Sequence, residues 1–306
     1  MARVRRNLKD SLFRMVFQGK EELLSLYNAI NDSHYTNTDD LEINTMEDVM
    51  YMGIKNDVSF LFCNYLNLYE AQSTYNPNMP LRGFLYFGDL IKGILEMNHM
   101  DVYSAVQLKL PIPKFIVFYN GLKEEPERKV LKLSDSFEGL KDEIPALECV
   151  AIMLNINYGY NRELMEKCRV LYDYSYFVEE VRAGIRNGKN LEDSVDEAIN
   201  ASREGVLKEI LRKNRAEVKR VMWSDYNEEL HLKNVEQFGV EQGKVTAIIS
   251  MAAKKIKKHQ SLEQIADALE EPAETLRPIY EAIIKMGPDC DAEKIYWYMV
   301  DNKLIK

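Results

Sequence analysis

The sequence predicts an α/β core followed by a helical C-terminal region. Three observations predict it. Apolar runs of strand length recur at 57–62, 66–72, 114–120 and 149–156. Apolar residues at helical spacing fill 10–31 and 81–97. From Glu163 onward helical periodicity dominates, with breaks near Gly188, Gly239 to Gly243, and Gly287-Pro288.

In chain order, Leu12, Met15, Val16, Leu23, Leu26, Tyr27 and Ile30 mark the first helical segment, with Gly19 as its break and Asp10 or Ser11 as its cap. An Asn-, Asp- and Thr-rich loop follows at 31–40. Residues 49–52, 57–62 and 66–72 read as three short strands. Pro77 and Pro80 end that region. Leu81, Phe84, Leu85, Phe87, Leu90, Ile91, Ile94 and Leu95 then give a strongly apolar helix. Pro111 and Pro113 on one side and Gly121 on the other bound a buried strand at 114–120, and 149–156 is a further apolar strand.

The chain has 306 residues, 46% hydrophobic and 29% charged, which is ordinary for a globular protein and excludes wholesale disorder. No run of 18 apolar residues exists, so no membrane span is expected. The first residues, Met-Ala-Arg-Val-Arg-Arg, lead into polar sequence without an apolar h-region. The expectation is therefore no secretory signal and a cytoplasmic location. Cys63, Cys149, Cys168 and Cys290 are far apart, and His34, His99, His231 and His259 equally scattered. Neither set has zinc or redox spacing, and no phosphate-loop glycine pattern occurs, so any metal should be held by oxygen.

Net charge is −9, but 1–9, 203–220 and 251–259 each carry a local +4. Such clustering allows an anionic polymer to bind locally, while each cluster singly also reads as a solvated helix face. Lys208, Arg212, Arg215 and Lys219 recur at i, i+4, i+7 and i+11. One helix face would thus present four cations, either to DNA phosphates or to solvent.

The informative stretch is Asn56-Asp57 … Tyr69-Glu-Ala-Gln72. If 57–62 and 65–70 form a hairpin turning at Cys63-Asn64, Asp57 faces Glu70 and Lys55 faces Gln72. Glu70 and Gln72 then share a face, and Val58, Phe60, Phe62, Tyr65, Asn67 and Tyr69 collect on the other, the side to bury. Facing carboxylates repel unless one binds a proton or a cation sits between them. Mg²⁺ prefers carboxylate and water oxygens and can polarise a phosphoryl oxygen, with Lys55 beside it to stabilise developing charge. The alternative is an exposed hairpin whose acids are neutralised by Lys55 and Arg82.

The motifs Asp10-Ser-Leu-Phe13, Leu26-Tyr-Asn-Ala29, Lys55-Asn-Asp-Val-Ser-Phe60, Tyr69-Glu-Ala-Gln-Ser-Thr74 and Asn76-Pro-Asn-Met-Pro-Leu-Arg82 resemble the recombination-promoting nuclease/transposase family of the PD-(D/E)XK nuclease superfamily. Phe118-Tyr-Asn-Gly121, Leu133-Ser-Asp-Ser-Phe137, Asn155-Ile-Asn157 and the glycine-spaced segment 238–243 extend the resemblance. It covers roughly residues 7–240.

The resemblance implies a restriction-endonuclease-like αβββαβ core and a DNA endonuclease dependent on Mg²⁺ or Mn²⁺. Asp57 and Glu70 become the metal-binding carboxylates, and Asp10 either a third acid from the first helix or a helix cap. Gln72 stands where the superfamily usually has lysine. A neutral amide orients water but supplies no positive charge, so Lys55 or Arg82 would have to supply it. Arg82 reads either as a phosphate ligand or as a salt bridge to Glu70.

Three regions are expected: a nuclease-like domain at 1–187, a helical extension at 188–244 whose glycine-spaced end (238–244) reads as a linker or a frayed helix, and a small helical region at 245–306. In the last, Ser261 to Leu276 resembles the first two helices of a helix-turn-helix, a pattern also common in small bundles. DNA is the expected partner, and 190–306 is compatible with oligomerisation. A rival reading is a non-catalytic protein that binds DNA or another protein through its helical part.

Overall fold

The computed structural model describes residues 12–43, 57–139 and 143–305, with side chains throughout except at 228–239. Two compact units divide the chain at residues 229 and 230.

In the first unit, α1 (Leu12–Phe17) and α2 (Lys20–Asn31) are separated at Gly19, as the sequence predicts. The strands are β1 (Glu42–Ile43), β2 (Val58–Phe62), β3 (Tyr65–Gln72), β4 (Ile112–Tyr119), β5 (Arg128–Lys132) and β6 (Val150–Asn155), with α3 (Met79–Met97) between β3 and β4. They form one six-stranded mixed sheet in the order β1-β2-β3-β4-β6-β5. The β3/β4 and β4/β6 pairs are parallel, and the others antiparallel. The expected strand at 49–52 lies outside the described residues.

The β2–β3 hairpin turns at Cys63 and Asn64, whose φ angles of 48° and 62° are both left-handed. That is the turn whose twist matches the flanking strands, and Asn tolerates it well. Val58 pairs with Tyr69, Phe60 with Asn67 and Phe62 with Tyr65, the register the sequence predicts.

Both faces of the hairpin are buried, not one. Val58, Phe60, Phe62 and Tyr69 pack with Phe13, Phe17, Leu23 and Tyr27 of α1 and α2. Leu66 and Leu68 pack with Met79, Tyr86 and Leu90 of α3 and with Phe115 of β4. The reason is the parallel β3/β4 crossover, which lays α3 on the face that the antiparallel hairpin alone would leave to water.

Close approach of α3 to the sheet needs Gly83, where a Cβ would stand 2.4 Å from the Phe115 ring. Gly83→Ala is expected to lower stability by about 1–3 kcal/mol through overpacking, seen as a lower urea midpoint at unchanged m-value. Strand β5 escaped the sequence reading. It is Arg-Lys-Val-Leu-Lys, an edge strand in which Leu131 alone is buried, and charge on an edge is what keeps it from pairing with other chains.

Helices α4 (Arg162–Lys167), α5 (Arg169–Arg186), α6 (Leu191–Ala201), α7 (Val206–Lys213) and α8 (Arg215–Ile256) follow. Val195, Ala198, Leu207, Leu211 and Val218 share the core of Phe13, Leu171 and Phe177. The segment 188–229 is therefore part of the first unit and not a separate extension, because its apolar faces complete the helical layer on that side of the sheet. Of the two readings of the glycine-spaced segment, linker or helix, the helix holds: it lies within the 42-residue α8. A glycine costs a helix only about 1 kcal/mol relative to alanine, which a long helix absorbs.

The second unit, 230–306, contains α9 (Leu262–Leu269), α10 (Ala273–Met286) and α11 (Ala292–Asp301). Ile249, Ile256, Leu262, Ile265, Leu276, Ile279, Ile283, Ile295 and Met299 form its core. Ser261 and Gln264 make a reciprocal capping box at the start of α9.

Candidate active site

The hairpin register delivers two carboxylates to one place. Asp57 immediately precedes β2, and its backbone N–H donates to Glu70 Oε2 at 2.9 Å. In return the Ala71 N–H donates to Asp57 Oδ2 at 2.7 Å. Each acid thus reaches across to the other strand's backbone, which fixes both rotamers.

Glu70 is 1% exposed, so the exposed-hairpin alternative does not hold. Helix α3 covers it, and residues three and four apart there share a face. Arg82 Nη2 donates to Glu70 Oε1 at 2.6 Å and to the Tyr86 hydroxyl at 2.9 Å, and that hydroxyl lies 3.2 Å from the same Oε1. Arg82 is therefore the salt-bridge partner of Glu70, one of the two roles its position suggested. Its Nε is buried without a hydrogen-bond partner among the described residues. Tyr86 was missed by the sequence reading, although its place four residues after Arg82 on a helix was a usable signal.

Burial, and then the neighbouring Asp57 charge, push Glu70 up to about 8, against the opposing pull of Arg82, the Asp57 N–H and Tyr86. Burial works against the Arg82 charge, but Glu70 and Tyr86 hold its pKa above the ordinary value. Tyr86 is raised by burial and by Glu70, so it stays a neutral hydroxyl.

Two carboxylates against one guanidinium leave the pair one positive charge short when both acids ionise. An oxygen-only pair of this kind fits Mg²⁺, which takes one or two carboxylates and fills its other positions with water. Among the described residues no group of three or more His, Cys, Asp or Glu gathers to hold a metal. Asp10 and Lys55, expected beside this pair, lie outside the described residues. Gln72 ends β3 on the Glu70 side of the sheet, and its carbonyl accepts the Asn120 N–H at 3.0 Å.

The four expected DNA-binding cations do not share one helix face. Helix α7 stops at Lys213 and α8 begins at Arg215, so the i, i+4, i+7, i+11 series is broken. Lys208 is 5% exposed and donates to the Asn200 carbonyl at 3.0 Å, with Glu204 also 2.8 Å away. Arg212 pairs with Glu204, and Arg215 and Lys219 both pair with Asp196. Hydrogen bonding from Arg215, and then Lys219, holds the Asp196 carboxyl down at about 2, so these cations tie α8 to α6. The α9–α10 pair is present as the sequence suggests, but the exposed charges of α10 (Glu274, Arg277, Glu281 and Lys285) balance to zero.

No described helix is long and apolar enough to cross a membrane. Comparison with family models, with curated proteins and with solved structures finds no match to this chain.

Proposed function

We propose that this chain is a metal-dependent nuclease that hydrolyses DNA phosphodiesters on a PD-(D/E)XK-type core. The observation that carries the reading is the interlocked Asp57–Glu70 pair on adjoining strands, with the proton affinity of Glu70 raised despite Arg82. Carboxylates perturbed by burial and a charged neighbour are a recurring feature of functional sites. The succession of helices, β1, β2 and β3, then α3 and β4 is compatible with the αβββαβ order.

Asp57 and Glu70 are the residues that would hold Mg²⁺ or Mn²⁺, and the ion when bound would polarise a phosphoryl oxygen and acidify a water. The protein's own contribution is electrostatic and positional. The cross-strand hydrogen bonds hold both carboxylates in place before substrate arrives, so little reorganisation is needed at reaction. Arg82 supplies the fixed positive charge that Gln72 cannot, and the amide of Gln72 orients water. Lys55 would add a second cation. This reading places DNA as partner and the cytoplasm as the working compartment. Hydrolysis is what these residues explain, and strand transfer is not part of the reading.

The rival is a binding protein on the same fold, favoured by the Arg82–Glu70 contact, which serves equally well as a structural ion pair. Supercoiled plasmid incubated with the full chain separates the two. Nicking that requires Mg²⁺ or Mn²⁺ and stops on chelation supports the nuclease. Intact plasmid across metals, single strands and duplexes supports the rival.

A further inference from the structure

A small cleft with one polar side lies at the carboxyl ends of β3 and β4, where open α/β sheets gather their ligands. The strands run in parallel register and finish together at Gln72 and Tyr119. The chain then passes so closely that a Cβ on Gly121 would stand 2.3 Å from the Ser73 carbonyl oxygen. Above these ends a small cleft of about 30 Å³ has Ser73, Asn120, Tyr174, Arg182, Asp225 and Tyr226 on its polar side and apolar residues such as Val178 and Met222 on the other. Leu12 closes the same cleft, two residues after the acid expected from the first helix.

Hydrogen-bond direction fixes what this cleft offers. Asn120 Nδ2 donates to the Tyr174 hydroxyl at 3.1 Å, so the phenol proton points elsewhere. Asn120 is itself immobilised, because Arg182 donates to its carbonyl and, at 2.9 Å, to Asn157 Oδ1. Burial, and then the charges of Asp225 and Asp57, raise the Tyr174 pKa, which keeps the hydroxyl a donor. Two acids from distant parts of the chain, one before β2 and one in α8, therefore act on a single phenol. The cleft is mixed in character, but its volume is enough for a water molecule, and Asn120, Tyr174, Arg182 and Asp225 give that water polar partners.

We propose that Asp225 is a further functional acid of this chain: with the Tyr174 hydroxyl it holds an ordered water in the cleft at the ends of β3 and β4, and so serves as a positioning residue for hydrolysis. The effect on rate rests on the nuclease reading, whereas the bound water does not.

Asp225→Asn and Tyr174→Phe keep shape while removing, in turn, the charge and the donor. Each is expected to lower kcat for plasmid nicking about 10²-fold, with KM within about twofold. Asp225→Glu should recover part of the loss, which a purely structural role would not give. A crystal structure of the full chain should show water within hydrogen-bond distance of Tyr174 Oη and the Asp225 carboxylate, and Asp225→Ala should lose it. Wild-type nicking by Asp225→Asn, where Asp57→Asn is inactive, would overturn the proposal and leave the nuclease standing. A dry cleft overturns it whatever the nicking shows. If the wild type cuts nothing, the nuclease reading and the rate effect fall together.

Discussion

Asp57→Asn and Glu70→Gln are each expected to reduce Mg²⁺-dependent nicking of supercoiled plasmid by about 10³-fold, the rate equivalent of several kcal/mol of charge stabilisation. Both amides match the carboxylates in size. Each retains an oxygen able to accept the cross-strand N–H, from Ala71 in one case and from Asp57 in the other. The hairpin is thus kept while the negative charge is lost. Glu70→Gln also leaves Arg82 without its buried counter-charge, so a stability cost is expected beside the loss of cutting, whereas Asp57→Asn keeps the Arg82–Glu70 pair. Initial rates at saturating Mg²⁺, beside urea midpoints for the same samples, separate the two effects. Wild-type rates from both variants would remove the carboxylates from the chemistry.

Arg82→Ala is expected to destabilise the first unit by about 3–5 kcal/mol at alkaline pH, because it strands Glu70 without its counter-charge. The pH dependence has a definite sign. Folding raises the Glu70 pKa from the ordinary carboxylate range to about 8, so between these values the folded state holds more protons than the unfolded one. Stability contributed by Glu70 is complete below about pH 4, falls as pH rises and is lost above about 8.

Removing Arg82 removes a group that lowers the Glu70 pKa, so the variant's deficit should widen with pH. Urea midpoints at about pH 5 and pH 9 read this directly. A deficit that narrows toward pH 9 would contradict it. The pair Arg82→Met with Glu70→Gln should recover most of the loss, since an apolar replacement leaves no orphaned charge.

Much of the fold was legible because local rules agreed with tertiary ones. The Gly19 break, the Cys63-Asn64 turn and the hairpin register follow from glycine's low helix propensity, from asparagine's tolerance of left-handed backbone and from strand alternation, all visible within a few residues. Strand β5 was hidden because its Arg and Lys residues carry no apolar pattern; pairing with β6 makes it a strand. The glycine-spaced segment left linker and helix both open, since glycine weakens a helix without forbidding one, and the structure makes it helix. The cation series failed because Asn214 follows the end of α7, and helical spacing carries across only an unbroken helix.

Sequence alone determined that Asp57 and Glu70 meet, because a two-residue turn leaves one register that keeps Val58, Phe60 and Phe62 in the core. Tertiary structure decided what the meeting means. The crossover of α3 buries Glu70, sets Arg82 and Tyr86 upon it and raises its affinity for a proton. Packing of α5 and α8 then brings Tyr174 and Asp225 to the ends of β3 and β4. Burial and partners depend on elements far apart in the chain, and side-chain spacing within one element carries no information about them.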